Sequence, residues 1–214
     1  RSVKFNNVTF KNITASEDGG CVYVDVSTNS FMLEFNNCTF MNCSTDDYGG
    51  VVYVNSVPSS NVIRFNNCTV DNCDAYDYGG LININDGDAK VEFKNTVIKN
   101  CDAERGGAIN LTNGTSVKFD NTAVYNCTAE YGGFMRADDS DVEITGNGNT
   151  VISGCSASIE GGAVYLNAAK KFSGFNLTDN KSTKDGGGIY NNTGNDGVST
   201  IENCYCYKLW HRAT

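Results

Sequence analysis

Apolar and polar residues alternate along this chain in short runs, and each run follows a pair of glycines. The pairs are Gly19-Gly20, Gly49-Gly50, Gly79-Gly80, Gly106-Gly107, Gly132-Gly133, Gly161-Gly162 and Gly186-Gly187. After the first six come Val22/Val24, Val52/Val54, Ile82/Ile84, Ile109/Leu111, Met135/Ala137 and Val164/Leu166, with Tyr23, Tyr53, Asn83, Asn110, Arg136 and Tyr165 between them. A period of two with one side consistently apolar predicts a strand buried on one face. A second strand has apolar flanks around a charged centre: Val3-Lys4-Phe5, Leu33-Glu34-Phe35, Ile63-Arg64-Phe65, Val91-Glu92-Phe93, Val117-Lys118-Phe119 and Val142-Glu143-Ile144.

Successive glycine pairs lie roughly 25 to 30 residues apart, the range in which repeat proteins stack one supersecondary unit per period. Two asparagine columns mark further corners. Asn7, Asn37, Asn67, Asn95 and Asn121 follow the Phe position, and Asn12, Asn42, Asn72, Asn100, Asn126 and Asn180 precede the Cys position. Asparagine tolerates bent backbone, and its amide both donates and accepts along a stack. Three short strands per unit with these corners predict an all-β fold, a right-handed parallel β-helix of about seven coils with 25–30 residues per coil. Residues 1–204 form the repeat domain, and 205–214, with Trp210 and His211, read as a degenerate last coil, cap or tail.

The central charges Lys4, Glu34, Arg64, Glu92, Lys118 and Glu143 alternate in sign, and Lys171 extends the series. Stacked strands place equivalent residues about 4.8 Å apart. Alternating signs then attract, and a slip of one unit sets like charges together.

Composition narrows the class. With 40% hydrophobic residues the chain can pack a core, and a formal net charge of −9 without a Lys/Arg run argues against nucleic acid as a partner. No apolar stretch is long enough to span a bilayer as a helix, so no membrane insertion is expected. The chain starts inside a repeat without a leading Met, which reads as a processed product or a portion of something longer. Ten cysteines and many N-x-Ser/Thr triplets favour an oxidising, secreted setting. Asn110, Asn113, Asn176 and Asn191 are the candidate glycan acceptors outside the two corner columns. Cys43, Cys73, Cys101, Cys127 and Cys155 form one column, set between Ile13 and Lys181, and Cys38 and Cys68 form another. A straight column does not converge tetrahedrally, which disfavours zinc. Disulfides between coils and a buried thiol ladder both remain open at this point.

The Gly-Gly-Ala-Ile of Gly106 to Ile109 and the Gly-Gly-Ala-Val of Gly161 to Val164, among Phe-x-Asn units, resemble the repeats of the chlamydial polymorphic membrane proteins and of adhesin-like surface proteins. The resemblance implies a β-helix of the pectate-lyase-like superfamily and an extracellular or cell-surface location.

Two columns could carry chemistry. Glu17, Asp47, Asp77, Glu104 and Glu130 recur just before the glycine pairs and are calcium candidates by oxygen chemistry, with a solvated acidic turn as the plainer reading. Beside them Tyr48, Tyr78, Arg105 and Tyr131 form an aromatic and guanidinium stack that suits a sugar or covers the corner. No paired catalytic carboxylates interrupt the repeat, so no catalytic residue is assigned and an enzyme is not expected. Asp138, Asp139, Asp141 and Glu143 are the one irregular acidic group. The expected role is a structural or adhesive surface protein, a segment of a larger assembly that contacts copies of itself end to end, other surface proteins or glycans. A carbohydrate-active β-helix and a calcium-dependent glycan-binding module are the alternatives.

Overall fold

The computed structural model describes residues 1–26, 31–56, 61–85, 89–112, 114–138, 141–169, 171–192 and 200–207. Asn113, Asp139, Trp210 and His211 lie outside them. Every strand pairing is parallel and, among the described residues, there is no helix. The strands stack as a β-solenoid of about six turns, close to the seven coils expected.

Each early turn carries four short strands rather than three. In the second turn they are Met32–Asn36, Thr39–Met41, Ser44–Thr45 and Val52–Ser56. The extra element is the two-residue Ser44–Thr45, too short to show a period in sequence. Each pairs with its equivalents above and below, as in Val22↔Val52 and Val52↔Ile82. The column predicted for the core is present: Val52, Ile82, Ile109, Met135 and Val164 are fully buried, and Val22 is half-buried.

The corners follow from backbone chemistry. Asn7, Asn12, Asn37, Asn42, Asn67, Asn72, Asn95, Asn100, Asn121 and Asn126 all adopt positive φ, a region that asparagine tolerates better than most residues. Their amides form ladders, such as Asn42 to Asn12 at 3.0 Å and Asn95 to Asn67 at 3.1 Å. In the glycine pairs the two members serve different ends. Gly79 needs its φ of +65°, whereas a Cβ on Gly50 would lie 2.3 Å from the Gly80 carbonyl oxygen and 2.4 Å from that of Asp74.

Inside, Phe5, Phe35, Phe65, Phe93 and Phe119 stack with centroids 4.9–5.2 Å apart. Phe10 and Phe40 form a second stack at 4.9 Å, and Phe35 meets Phe40 edge-on. The stack ends at Phe119, because Gly146 and Gly174 occupy the next two positions and pass within backbone contact of each other. Phe175 supplies the missing ring from the side, 5.5 Å from Phe119.

The charge ladder holds through its first five members, Lys4↔Glu34↔Arg64↔Glu92↔Lys118. Lys4 pairs with Glu34 at 2.9 Å and Arg64 with Glu92 at 2.6 Å. The hydrogen bond from Lys4 holds the Glu34 carboxyl below its ordinary range. Glu143 corrects the expectation: it stands opposite Ser116, and Thr145 takes the place beside Lys118. The displacement is two residues, which leaves every inward residue inward, so the hydrophobic pattern cannot register it. In the displaced column Glu143 stands beside Lys171 and Thr200 follows, while Lys171 pairs diagonally with Glu202 at 2.8 Å.

Cys21, Cys38, Cys43, Cys68, Cys73, Cys101, Cys127, Cys155 and Cys204 are free thiols, so the disulfide alternative falls for them. Cys43, Cys73, Cys101, Cys127 and Cys155 are fully buried in one core column. Stacked parallel strands point their Cβ vectors the same way, which works against the close Cβ approach a disulfide needs. The thiols hydrogen-bond instead to carbonyl oxygens, as Cys43 Sγ does to that of Phe10 at 3.6 Å; the neighbouring Cys43 thiol raises Cys21 and Cys73, and burial lifts Cys127 well above its usual range. Asn180, not Lys181, ends this column. Its Oδ1 accepts from the Cys155 N–H at 2.9 Å and its Nδ2 donates to the Ile152 carbonyl at 2.9 Å, while Asp179 takes the positive-φ corner. The Cys38 and Cys68 column continues as Thr96, which bonds the same kinds of carbonyl oxygen as Cys68 does.

Candidate functional site

The sheet that follows the glycine corners buries one face and turns the other outward. Register therefore fixes one outward column as Tyr23, Tyr53, Asn83, Asn110, Arg136, Tyr165 and Tyr190. On the near side of the glycine pair, Tyr48, Tyr78, Arg105 and Tyr131 are bridged in a second column. The positive φ of the first glycine folds one column against the other, and Tyr48 and Tyr53 meet at 5.9 Å.

Tall side chains fill both columns except at Asn83 and Asn110. These two short residues form the floor of a groove of about 540 Å³, walled by Tyr48, Tyr53, Tyr78 and Arg105, with Thr112, Arg136 and Asp138 across from them. Asn110 donates to Asn83 Oδ1 at 2.7 Å and accepts from Arg136 Nη1 at 3.2 Å. Arg136 also pairs with Asp138, whose other oxygen takes the Asn167 amide. Arg105 donates to the Tyr78 hydroxyl at 2.5 Å and lies 3.4 Å from Glu104. The guanidinium carbons of Arg105 and Arg136 sit 5.3 and 6.0 Å from the Tyr78 ring centre, and that of Arg105 lies 5.9 Å from the Tyr131 ring centre. Burial, followed by the nearby Asp18 carboxylate, pushes the Tyr53 phenol up to about 12, so it stays a neutral donor.

The groove offers flat rings, planar amides and two cations. Such a surface holds a ligand with an apolar face and polar edges. Compared with protein families, curated proteins and solved structures, the chain matches none. The likeness drawn from the Gly-Gly-Ala units thus extends to a β-helix fold and stops there.

Other predicted residues lie apart from the groove or prove structural. Glu17, Asp47, Asp77, Glu104 and Glu130 are distributed along the corners, and among the described residues no three His, Cys, Asp or Glu side chains are grouped to hold a metal ion. Glu104 and Glu130 line a separate open depression with Asp74, Asp102 and Tyr76. Of the glycan acceptors, Asn110 is corrected: it is 2% exposed with both amide atoms engaged, leaving no room for an attached sugar. Asn176 is half-buried and donates to the Gly148 carbonyl, whereas Asn191 is exposed. The triplets at Asn7, Asn12, Asn37, Asn42 and Asn67 start on ladder amides. Asp138 leaves the irregular acidic group and joins the groove.

The tyrosine and arginine stack was legible in sequence, but the floor was not. Asn83 and Asn110 were visible as exceptions in a Tyr-rich column, and that loss of bulk at consecutive positions is the signal for a groove. Asp18 was also missed; it heads the second column and carries a buried Oδ1 without a hydrogen-bond partner.

Proposed function

We propose that this chain is a structural and adhesive segment of a surface-displayed repeat protein, and that its groove contacts glycans. The observation behind this reading is the pair of floor asparagines between tyrosine rings and two guanidinium groups. Elsewhere the outward columns satisfy themselves turn by turn through amide ladders and ion pairs, as a rigid spacer requires. At the groove the half-exposed Tyr48, Tyr78, Arg105 and Arg136 stand over the buried Tyr53, Asn83 and Asn110 instead. Binding without turnover fits its chemistry, since Asp138, its one carboxylate among the described lining residues, is held by Arg136 and Asn167. Glycoside hydrolysis would call for a second carboxylate facing the first. Pairing in register persists to Tyr205–Tyr207 against Asn176–Thr178, so further coils or another copy could continue the stack end to end.

A glycan array probed with the folded chain tests the reading. Binding to a restricted set of saccharides, reduced at least tenfold in Tyr78→Ala, is expected. Absence of binding across the array, or binding unaffected by Tyr78→Ala, contradicts it.

A further inference from the structure

We infer that the buried thiol column is a binding site for soft monovalent cations, copper(I) or silver(I), each held in line between two sulfurs one turn apart. Strand pairing sets Cys43, Cys73, Cys101, Cys127 and Cys155 at equivalent places in consecutive turns. The amide after each later cysteine donates to the carbonyl of the cysteine one turn before: Asp74 to Cys43 at 3.0 Å, Asp102 to Cys73 at 3.2 Å, Thr128 to Cys101 at 2.9 Å and Ser156 to Cys127 at 2.9 Å. The side chains repeat as well. Each Sγ lies 3.5–3.8 Å from the carbonyl oxygen two residues before it, those of Met41, Asp71, Lys99, Tyr125 and Ser153. One contact repeated along the column means one side-chain direction, so successive sulfurs are offset by the strand spacing of about 4.8 Å.

That offset suits a linear S–metal–S unit. Two bonds of about 2.3 Å, the length of a zinc–thiolate bond, span roughly 4.6 Å. A disulfide would instead need the sulfurs to close to about 2 Å, which parallel Cβ vectors resist. Among the described residues no three such ligands are grouped around one point, so a tetrahedral ion is not served. Two thiolates in line are a soft, two-coordinate site, the chemistry that selects copper(I). Charge agrees. Each monovalent ion takes the place of one thiol proton, which leaves to solvent, and the next sulfur completes the pair with a lone pair. The column has four intervals between its five sulfurs, so four ions enter, four protons leave and the core gains no net charge. The half-buried Cys21 adjoins Cys43 and places a further thiol at the edge of the column, where an ion can be passed inward.

The test is silver binding by the reduced, folded chain in chloride-free buffer, with bound metal counted after dialysis. Shared sulfurs give a signature. Cys101→Ser breaks two intervals and should remove two silver ions, whereas Cys155→Ser breaks one and should remove one. Thr96 already places a hydroxyl on the same kinds of carbonyl oxygen in the neighbouring column, so both variants should keep the β signal in circular dichroism. If either fails to fold, X-ray absorption of the silver-loaded native chain decides, with two sulfur neighbours per silver expected. Loss of one silver in each variant would mean thiols binding singly and would overturn the inference. So would three or four sulfurs per silver, or no silver retained by the folded chain.

Discussion

Arg105 donates a hydrogen bond to the hydroxyl of Tyr78 at 2.5 Å while its guanidinium carbon lies 5.3 Å from the centre of the same ring, one turn away. The contact ties two successive turns across the wall of the groove. Tyr78→Phe keeps the ring and loses the hydroxyl, so it should cost about 1 kcal/mol in urea unfolding. Tyr78→Ala loses the ring contact as well and should cost measurably more. Equal costs would mean that the ring does not contribute.

Register depends on charge at Glu92, which pairs with Arg64 at 2.6 Å and stands beside Lys118. Glu92→Lys puts three cations in succession. The pair is half-exposed, so the loss should be on the order of 1 kcal/mol and should shrink in high salt. A loss independent of salt would show that stacking charge is not its cause.

Gly50 has no space for a methyl group. A Cβ there would meet two carbonyl oxygens at 2.3 and 2.4 Å, both backbone, which side-chain rotation cannot relieve. Gly50→Ala should destabilise by about 3 kcal/mol or more, through displaced backbone between two successive turns. Near-native stability in thermal unfolding would contradict the close packing of the corners.

Asp18 gives a pH-dependent prediction. Burial, then the neighbouring Asp47 and Glu17 carboxylates, raise its pKa above 3.8, against the lowering effect of the Tyr48 backbone hydrogen bond. A raised carboxyl favours the folded state while protonated, below the unfolded pKa, and that contribution is lost as pH rises through the folded pKa. Asp18→Asn should therefore be more stable than the native chain at neutral pH, with the gap closing on acidification toward pH 3.8. A gap that widens in acid would reverse the assignment.

Much of the fold was legible because each turn repeats the same constraints. Val22, Val52 and Ile82 announce a one-sided strand, and Gly49-Gly50 and Asn42 announce corners, wherever they recur. Legibility failed where the repeat changes length. Between Lys118 and Lys171 the corner asparagine gives way to Gly146–Asn149, and Glu143–Ser153 runs through as one strand. Glu143 could then slide two places without moving an apolar side chain to the wrong face. A similar ambiguity of one place misassigned Asn180, whose buried amide replaces a cysteine rather than turning a corner. At the groove, Tyr48, Tyr78, Arg105 and Tyr131 were visible as a stack, but the depression arises from two columns folded together by Gly79. That proximity belongs to the turn and cannot be read from either column alone.

The claim that the groove is the ligand-contacting surface is tested most directly by the side-chain amide resonances of asparagine. In a titration with a saccharide that binds the chain, the NH₂ signals of Asn83 and Asn110 should shift progressively and saturate together. Those of the ladder residues Asn37, Asn42 and Asn72, already bonded turn to turn, should stay in place. Shifts confined to the ladders, with Asn83 and Asn110 unmoved at saturation, would contradict the account.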